Sequence, residues 1–512
     1  MTEGAPSPEP SAGGLADAST LAVGGILRLT SSAVGLIGGL VVTVVVFRAM
    51  GPDSFGTYAL ALAVCSLTAV VAELGVGVGV SRMSAYLDSG RARSWATTAL
   101  VVATAVGGGL TVTMIAAATV VTPTLRGPLV VAAPLIVAGS VSSMAQGFLA
   151  ARRRLAWCEG ITIGTQLIAA LGVIVVVALG ADAAVPILTV QVLIKVLGAL
   201  VAVVVCWREM QRLPRGPRTR ARDVVAFSMP LMVGGLAGTI LQRSDVIMVG
   251  MFVGLGAVAW YEPTLRVLDV APVVMAALGY YLFSVGASMV RHDKMARLRD
   301  AYTTITKWGI VLTMPLLMTM LVVPVPFLQA IFGPVFRPQS SVVAILALGY
   351  IINIAAGVNG GALAVLGATR QILVRSIALV TLNLAGNALL IPILGVLGGA
   401  IATTTVLASL NCVNSVLVWR MARLTPIRAD TVRCLGTIAI ATGVGWAAVR
   451  MLGVQDETIG AVVVLGLASL AALATAVLNL RPGETRLVHD LMDSLRVRWT
   501  ATPTSGAADG IG

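Results

Sequence analysis

Long apolar runs, separated by short charged segments, dominate this chain of 512 residues. Most of the runs are long enough to span a bilayer core of ~30 Å as an α-helix rising ~1.5 Å per residue. Backbone groups in lipid must find their hydrogen bonds within the protein, so α-helices are the expected spanning element. The sequence therefore predicts an all-α polytopic membrane protein with about fourteen transmembrane helices. The runs cover residues 21–47, 55–74, 96–122, 127–150, 156–179, 183–207, 225–253, 257–290, 305–332, 341–366, 372–394, 398–419, 435–452 and 458–478.

The charge content agrees with a membrane location. Charged residues make up 11% of the chain, whereas soluble domains carry roughly 25%. Lipid must therefore cover most of the surface. The net charge of +13 comes from basic clusters between apolar runs, a pattern that membrane topology explains and that does not indicate a nucleic-acid partner.

The positions of lysine and arginine predict the orientation. With the N-terminus in the cytoplasm, 27 of the 35 basic residues fall in inner loops or the C-terminal tail. Because cytoplasmic loops carry an excess of Lys and Arg, both termini are predicted to be cytoplasmic. The outer loops and their margins hold Arg48, Arg126, Arg337 and Arg450, and the spans hold Arg28, Lys195, Arg243 and Arg266.

A long basic loop after the sixth span divides the first twelve spans into two groups of six. Shifting the first group by 203 positions places Gly35, Gly51 and Tyr58 on Gly238, Gly254 and Tyr261. Parallel repeats of this kind are a transporter architecture. The predicted organisation is a disordered cytoplasmic tail (1–20), a first lobe (21–207), a basic linker (208–224), a second lobe (225–421), two further helices (434–480) and a cytoplasmic tail (481–512).

Signals for enzyme chemistry are missing from the sequence. No lysine follows a glycine, which excludes a P-loop. The two histidines lie in a predicted loop and a predicted tail, and the five cysteines have neither metal-ligand nor redox spacing. No predicted outer loop exceeds about a dozen residues, which leaves no room for an extracytoplasmic catalytic cluster. We expect a protein that is not an enzyme and has no metal and no cofactor.

The first outer turn resembles a known family. The stretch FRAMGPDSFGTYALA, residues 47–61, is similar to the corresponding turn of the polysaccharide transporter family, which includes the O-antigen flippases. That family belongs to the multidrug/oligosaccharidyl-lipid/polysaccharide exporter superfamily. Further points of resemblance are ELG at 73–75, Ser81–Arg82, Pro230, QRSD at 242–245, Tyr261 and Arg266.

The resemblance implies a two-lobed fold around a central cavity that works by alternating access. The implied cargo is a polyprenyl-diphosphate-linked saccharide that moves from the inner to the outer leaflet of a bacterial inner membrane. Implied partners are this cargo, membrane lipid and enzymes of glycan assembly. Fourteen helices resemble the lipid II flippase subgroup, whose multi-arginine first span is present only in part, as Arg28 and Arg48. A multidrug exporter of the sister family and a non-transporting scaffold of a glycan-assembly complex remain alternatives.

Arg28 lies about two turns into the first span. A charge at the bilayer centre costs ~2.5–3.5 kcal/mol on insertion scales, so each such residue needs a reason. A face of Ser31, Ser32, Gly35 and Gly38 follows Arg28 at helical spacing. Arg28 either extends its head to the inner interface or, with Arg48, contacts the anionic headgroup of the cargo.

A second group of charges is predicted in the seventh and eighth spans. Helical spacing places Glu262, Arg266 and Asp269 on one face, level with Arg243 and Asp245 across the hairpin. The group is either a structural ion-pair network, or a cargo contact or coupling site for a proton or sodium.

Other polar residues in the spans receive weaker assignments. Glu73 and Lys195 are single charges near span ends and are interpreted as structural. The asparagines of the tenth to twelfth spans make interhelical hydrogen bonds or contact sugar, and both readings stay open. They are Asn353, Asn359, Asn383, Asn387, Asn411 and Asn414.

Overall fold

A computed structural model describes residues 12–291, 293–367, 369–426, 428–452 and 456–479, and within these ranges the regular structure is α-helical. This agrees with the predicted all-α class. The helices are α1 (Ala12–Glu73), α2 (Val76–Tyr86), α3 (Ser89–Ala118), α4 (Pro123–Ala132), α5 (Pro134–Ala151), α6 (Leu155–Ala178), α7 (Ala184–Gln211), α8 (Ala221–Phe252), α9 (Leu255–Leu268), α10 (Val270–Arg291), α11 (Met295–Val322), α12 (Pro324–Phe332), α13 (Ser340–Ala355), α14 (Asn359–Val365), α15 (Thr369–Leu394), α16 (Val396–Ala422), α17 (Ala429–Met451) and α18 (Glu457–Leu478).

Helix α1 reverses its direction at Gly51. Gly51 has φ 67° and ψ −179°, which are not helical, and Pro52 follows it. Gly39 and Glu73 line the same cavity, although 34 residues of unbroken helix would separate them by ~51 Å. The two limbs of α1 therefore form a hairpin. We name the end of the molecule that carries this turn the Gly51 face. The opposite end, which carries the loops with Arg152–Arg154 and Arg212–Arg220, is the arginine face.

Close helix packing explains three glycines at the start of α2. Gly75 has φ +69°, and a Cβ atom there would lie 2.6 Å from the carbonyl oxygen of Ser228 in α8. At Gly77 and Gly79 a Cβ would lie within 2.5 Å of the hydroxyls of Ser143 and Ser228. Small residues allow such approach between helices in a bilayer. This segment is thus a packing surface where three helices meet.

Among the described residues, the buried core that the two lobes share lies at the Gly51 face. One buried apolar cluster there includes Phe47 and Tyr58 of the first lobe and Phe327 and Val343 of the second. At the arginine face the clusters are separate. One is built on α2, α3, α5 and α7 with Val224, and the other on α10, α11, α14 and α16. The conformation is therefore closed at the Gly51 face.

Aromatic side chains form the centre of this closure. The ring of Phe47 lies 5.0 Å from that of Phe336, 5.6 Å from Phe332 and 5.9 Å from Trp260, measured between centroids. Phe55 contacts Phe47 from the first lobe at 5.4 Å. Edge-to-face pairs at these distances stabilise contacts beyond their area burial. Phe47 is thus enclosed by rings from both lobes.

Helix α8 connects the lobes and is bent. Its segments Ala221–Met232 and Leu236–Phe252 meet at 59°, near Pro230 and the pair Gly234–Gly235, residue types that commonly cause kinks. The first segment packs on α2 and α3 of the first lobe, and the second packs on α9 and α15.

The basic linker is attached to the first lobe. Arg93 donates to the carbonyl oxygen of Leu213 at 2.6 Å, and the backbone amide of Thr219 donates to Ser94 Oγ at 2.8 Å. Helix α7 continues to Gln211 and α8 begins at Ala221. The non-helical part is therefore shorter than the predicted linker of 208–224.

The helical region at the N-terminal end begins earlier than the predicted boundary. Helix α1 already begins at Ala12, inside the segment 1–20 that was predicted to be a disordered tail. The other end of the prediction, the tail 481–512, lies outside the described residues, as do residues 1–11. The predicted internal repeat stays a prediction, although Gly51 and Gly254 both have positive φ, at 67° and 116°.

The number of spans is close to the prediction. Among the described residues, 11 helical stretches are long and apolar enough to cross a membrane, or up to 12 with the bent α8 counted as one span. This count takes Thr30–Tyr86 as one stretch and omits α9 and α10. The predicted fourteen results if the bent α8 counts as one span, Thr30–Tyr86 as two, and α9 with α10 as one. The exact number stays a prediction.

The topology can be measured directly. We expect reporter fusions after Gly51, Gly180 and Gly254 to report the outside, and fusions after Arg154 and Pro217 the inside, because the arginine face should remain in the cytoplasm. The measurement is the activity of a reporter that works on one side of the membrane only. Two consecutive sites that report the same side would contradict the helix map.

Candidate functional site: a cavity with a cationic end

A cavity of about 550 Å³ lies mainly within the first lobe. Both limbs of α1, with α5, α6 and α7, line it, and Arg243, Glu262 and Arg266 from α8 and α9 complete the wall. Its volume falls within the ~300–1,000 Å³ that is usual for ligand sites. The glycine face of the first limb borders it, and at Gly38 and Gly39 an added Cβ would meet no atom within 4 Å.

One carboxylate connects two of the cavity arginines. Arg266 Nε lies 2.7 Å from Glu262 Oε1, and Arg243 Nη1 lies 3.2 Å from the same oxygen. The side chain of Glu262 is 8% exposed, against 20% for Arg243 and 33% for Arg266. The second oxygen, Glu262 Oε2, is buried and has no hydrogen-bond partner among the residues that the structure describes. Glu262 is therefore the buried member of this group, and the guanidinium groups are nearer to the cavity.

Lys195 adds a third cation to the same end of the cavity. It lies on α7, and its side chain is exposed to the cavity. Among the described residues it makes no hydrogen bond and no salt bridge, and its electrostatic neighbours are Arg243 and Arg266. The cavity-lining side chains of this end, which we name the cationic end, are three cations and one carboxylate and sum to +2. Asp245 and Asp269 do not line the cavity, but they interact electrostatically with its arginines. Charges at this depth are costly and are commonly functional.

The two aspartates of the predicted cluster lie elsewhere. Asp245 Oδ2 accepts hydrogen bonds from Tyr261 at 3.0 Å and from Thr403 at 3.4 Å, and Oδ1 accepts from the amide of Val246 at 2.8 Å. Asp269 Oδ1 accepts from Tyr350 at 2.7 Å. The five predicted residues therefore divide into a cavity group of Arg243, Glu262 and Arg266 and two carboxylates packed toward the second lobe.

The predicted headgroup residues lie outside the cavity wall. Arg28 is exposed on α1, and the cavity lining does not include it. Arg48 donates to the carbonyl oxygens of Ile331 at 2.7 Å and Ala330 at 3.3 Å. These carbonyls end α12, where a cation is favourable because of the helix dipole. Neither arginine is close to the cationic end in this conformation, and the cargo role of both stays a prediction.

Amides in the second lobe contact one another. Asn411 donates to Asn353 at 2.9 Å, Asn359 donates to Asn411 at 3.0 Å, and Arg375 donates to the side chain of Asn414 at 2.7 Å. Helices α13, α14, α15 and α16 are joined in this way. Ser244 donates to Asn383 at 3.0 Å, and Asn387 donates to the same oxygen at 3.1 Å. In this structure the asparagines therefore mainly make hydrogen bonds between helices, which is one of the two interpretations that the sequence left open.

Lys195 and three cavity glutamines were not selected as site residues from the sequence. Gln146, Gln166 and Gln191 line the cavity, and Gln191 accepts a hydrogen bond from the buried hydroxyl of Tyr58 at 3.1 Å. The sequence could have indicated them, because each glutamine is a polar residue within an apolar run of the first lobe, where polar residues are commonly functional. Nothing in helical spacing shows that the three runs face one cavity.

Comparison with known proteins identifies the family of this chain. The chain belongs to the polysaccharide biosynthesis protein family, whose model matches residues 22–290, more than half of the chain. This membership agrees with the predicted resemblance. No curated protein sequence matches the chain significantly.

Solved structures share the fold at low sequence identity. The lipid II flippase MurJ in an inward closed conformation is 10% identical, with a TM-score of 0.66 over 89% of this chain and 98% of that one. An inward-facing multidrug resistance transporter of the MATE family is 16% identical, with a TM-score of 0.59 over 78% and 98%. An outward-facing structure of a MATE family transporter is 17% identical, with a TM-score of 0.52 over 78% and 94%. The fold is thus that of flippases and exporters of this superfamily.

Proposed function

We propose that this protein is a flippase for polyprenyl-diphosphate-linked saccharides, and that the cationic end of the cavity binds the diphosphate. The observation that carries the proposal is the net charge of +2 formed by Lys195, Arg243 and Arg266 around Glu262. A diphosphate diester carries two negative charges and would neutralise this end. Guanidinium groups also match phosphate oxygens in bidentate geometry.

The same charge argues against the two alternatives. A cavity with net positive charge repels cationic compounds, so it does not suit an exporter of cationic drugs. A scaffold has no need of three cations and a single carboxylate facing an open cavity, because charges inside a membrane protein are destabilising. An anionic amphiphile is the cargo that fits both the charge and the membrane location.

We propose the direction and location from the predicted topology and from the cargo that the family resemblance implies. With the arginine face in the cytoplasm of a bacterial inner membrane and both termini cytoplasmic, the present conformation is closed to the outside. In the transport cycle this conformation would alternate with one in which the cavity is open at the Gly51 face. Cargo would move from the inner to the outer leaflet, and the enzymes of glycan assembly would supply it on the inside.

We further propose that Asp245 couples transport to a proton or a sodium ion. Asp245 is 2% exposed, and among the described residues its carboxylate accepts hydrogen bonds from neutral donors, Tyr261, Thr403 and the amide of Val246. Arg243 acts on it electrostatically without forming a salt bridge in the described part of the chain. On the adjacent helix α15, Asn387 Oδ1 is buried with no hydrogen-bond partner among the described residues. A buried carboxylate without a salt bridge is stabilised by taking up a proton or by binding a cation.

Glu262 provides a test of the diphosphate site. We expect Glu262→Gln to bind a glycan-free prenyl diphosphate about 10-fold more tightly, since removing one opposing charge is worth ~1–2 kcal/mol at an effective dielectric near 20. Turnover should fall, because the carboxylate competes for the two arginines and so helps to release the cargo. Binding to purified protein and translocation in vesicles measure the two effects.

The matched control is Glu457→Gln, which removes an exposed carboxylate at the start of α18. It should change neither quantity. Weaker binding by the Glu262→Gln variant at normal thermal stability would show that Glu262 only orders the arginines, and would contradict its competing role.

A further inference from the structure

The cavity has a second polar region with different chemistry. Five polar side chains line it away from the cationic end, and we name them the amide–hydroxyl end. They are Glu73, Ser142, Gln146, Thr162 and Gln166.

The two ends lie at different depths. Glu73 is the last residue of α1, Gln146 is 5 residues from the end of α5, and Thr162 is 7 residues after the start of α6, all at the arginine face. These positions are within ~11 Å of the helix ends. Arg243 and Lys195 lie 9 and 11 residues from helix ends at the Gly51 face, or ~14–17 Å. Gln166 lies 11 residues, or ~17 Å, from the start of α6, at about the depth of Lys195. The amide–hydroxyl end therefore extends from near the arginine face to the middle of the cavity, where Gln166 lies.

Hydrogen-bonding capacity at this end is only partly used. Gln146 Nε2 donates to Ser142 Oγ at 3.1 Å, and Glu73 Oε2 accepts from Ser143 at 3.2 Å. Gln166 Oε1 is buried and has no hydrogen-bond partner among the described residues. Its amide lies against Gly35, where an added Cβ would lie 2.8 Å from Nε2. A buried polar atom without a partner is costly, so a ligand toward which this amide rotates, and which donates to its oxygen, gains affinity.

We propose that the amide–hydroxyl end is the saccharide subsite, and that it selects neutral or N-acetylated sugars over acidic ones. The proposal rests on the proposed function, because it assumes a diphosphate at the cationic end. Amides and hydroxyls both donate and accept, as sugar hydroxyls and acetamido groups require. A carboxylate such as Glu73 can accept from two adjacent hydroxyls, whereas it repels the carboxylate of a uronic acid. The cargo then lies with its diphosphate near the membrane centre and its first sugars toward the arginine face.

Three water-soluble probes separate the two ends of the cavity. They are a short-chain prenyl diphosphate capped as its methyl ester, the same diphosphate bearing one N-acetylhexosamine instead of methyl, and the same diphosphate bearing one hexuronic acid, so that the diphosphate carries two charges in all three. We expect Gln146→Leu and Gln166→Leu to weaken binding of the N-acetylhexosamine probe about 10-fold each. Binding of the glycan-free probe should stay within about twofold, because the cationic end is unchanged.

Glu73→Gln tests the charge selection. It should raise the affinity for the hexuronic acid probe about 5-fold or more relative to the N-acetylhexosamine probe, because a repulsive charge is removed. The matched control is Thr104→Val, which changes a hydroxyl on the exposed side of α3 that bonds only its own helix. All probes should bind the control variant as they bind the wild type. Thermal unfolding of each purified variant confirms that it is folded, and two glutamine variants are made in case one is not.

The outcomes separate the two proposals. If the wild type binds the glycan-free probe but the sugar adds no affinity, or if each glutamine variant weakens both probes equally, the saccharide subsite is wrong and the diphosphate site stands. If the wild type does not bind the glycan-free probe, the proposed function fails, and the subsite fails with it.

Discussion

Replacing Lys195 with methionine is expected to reduce binding of a prenyl diphosphate, and its translocation, about 10- to 150-fold. A charge-assisted contact contributes ~1.5–3 kcal/mol, which corresponds to that range. Lys195 faces the cavity and makes no salt bridge among the described residues. Methionine keeps most of the aliphatic stem, so the protein should remain as stable as the wild type or become slightly more stable.

The chain offers a matched control for this substitution. Lys294 is exposed and precedes α11 at the arginine face, so Lys294→Met removes one lysine charge outside the cavity. Lys195→Arg should retain most of the activity because it keeps the cation. If Lys195→Met and Lys294→Met have equally small effects, the cationic end does not bind the cargo.

The second large effect is expected at Asp245. Asp245→Asn should abolish the dependence of translocation on a proton or sodium gradient and slow net transport by about 5- to 150-fold, the usual range for coupling between two sites. An asparagine can still accept the hydrogen bonds from Tyr261 and Thr403, so the protein level should stay near normal. Translocation in vesicles with an imposed gradient of each ion measures the effect and identifies the ion.

Asp269 serves as the comparison for Asp245. Its carboxylate also accepts a tyrosine hydroxyl, that of Tyr350 at 2.7 Å, and it is not part of the coupling proposal. Asp269→Asn should leave the gradient dependence intact. A normally expressed Asp245→Asn protein with wild-type gradient dependence would refute the coupling role.

Much of the architecture could be predicted because membrane helices have strong local signals. Long apolar runs and clustered arginines are local features that show where helices lie and which loops share a side. The turn at Gly51 and the family resemblance were also visible in residues 47–61. The boundaries of the linker were less accurate, because hydropathy does not show that α7 and α8 extend as helices beyond the apolar runs.

The composition of the site could not be predicted to the same degree. Helical spacing correctly places Glu262 and Arg266 on one face, and the contact at 2.7 Å follows from it. Spacing within one hairpin cannot show that Asp245 faces α16 whereas Arg243 faces the cavity. It also cannot show that Lys195, on a helix distant in sequence, completes the cationic end. These relations depend on how seven helices pack, and they require the three-dimensional structure.

The most direct test of the flippase assignment is translocation by the purified wild-type protein in vesicles. The vesicles contain a fluorescent polyprenyl-diphosphate-linked saccharide, and a membrane-impermeant reagent destroys the fluorescence in the exposed leaflet. We expect protein-containing vesicles to lose nearly all of the signal, while empty vesicles and vesicles with Lys195→Met protein lose about half. Retention of half of the signal with the wild-type protein, under an imposed proton or sodium gradient, would contradict the account.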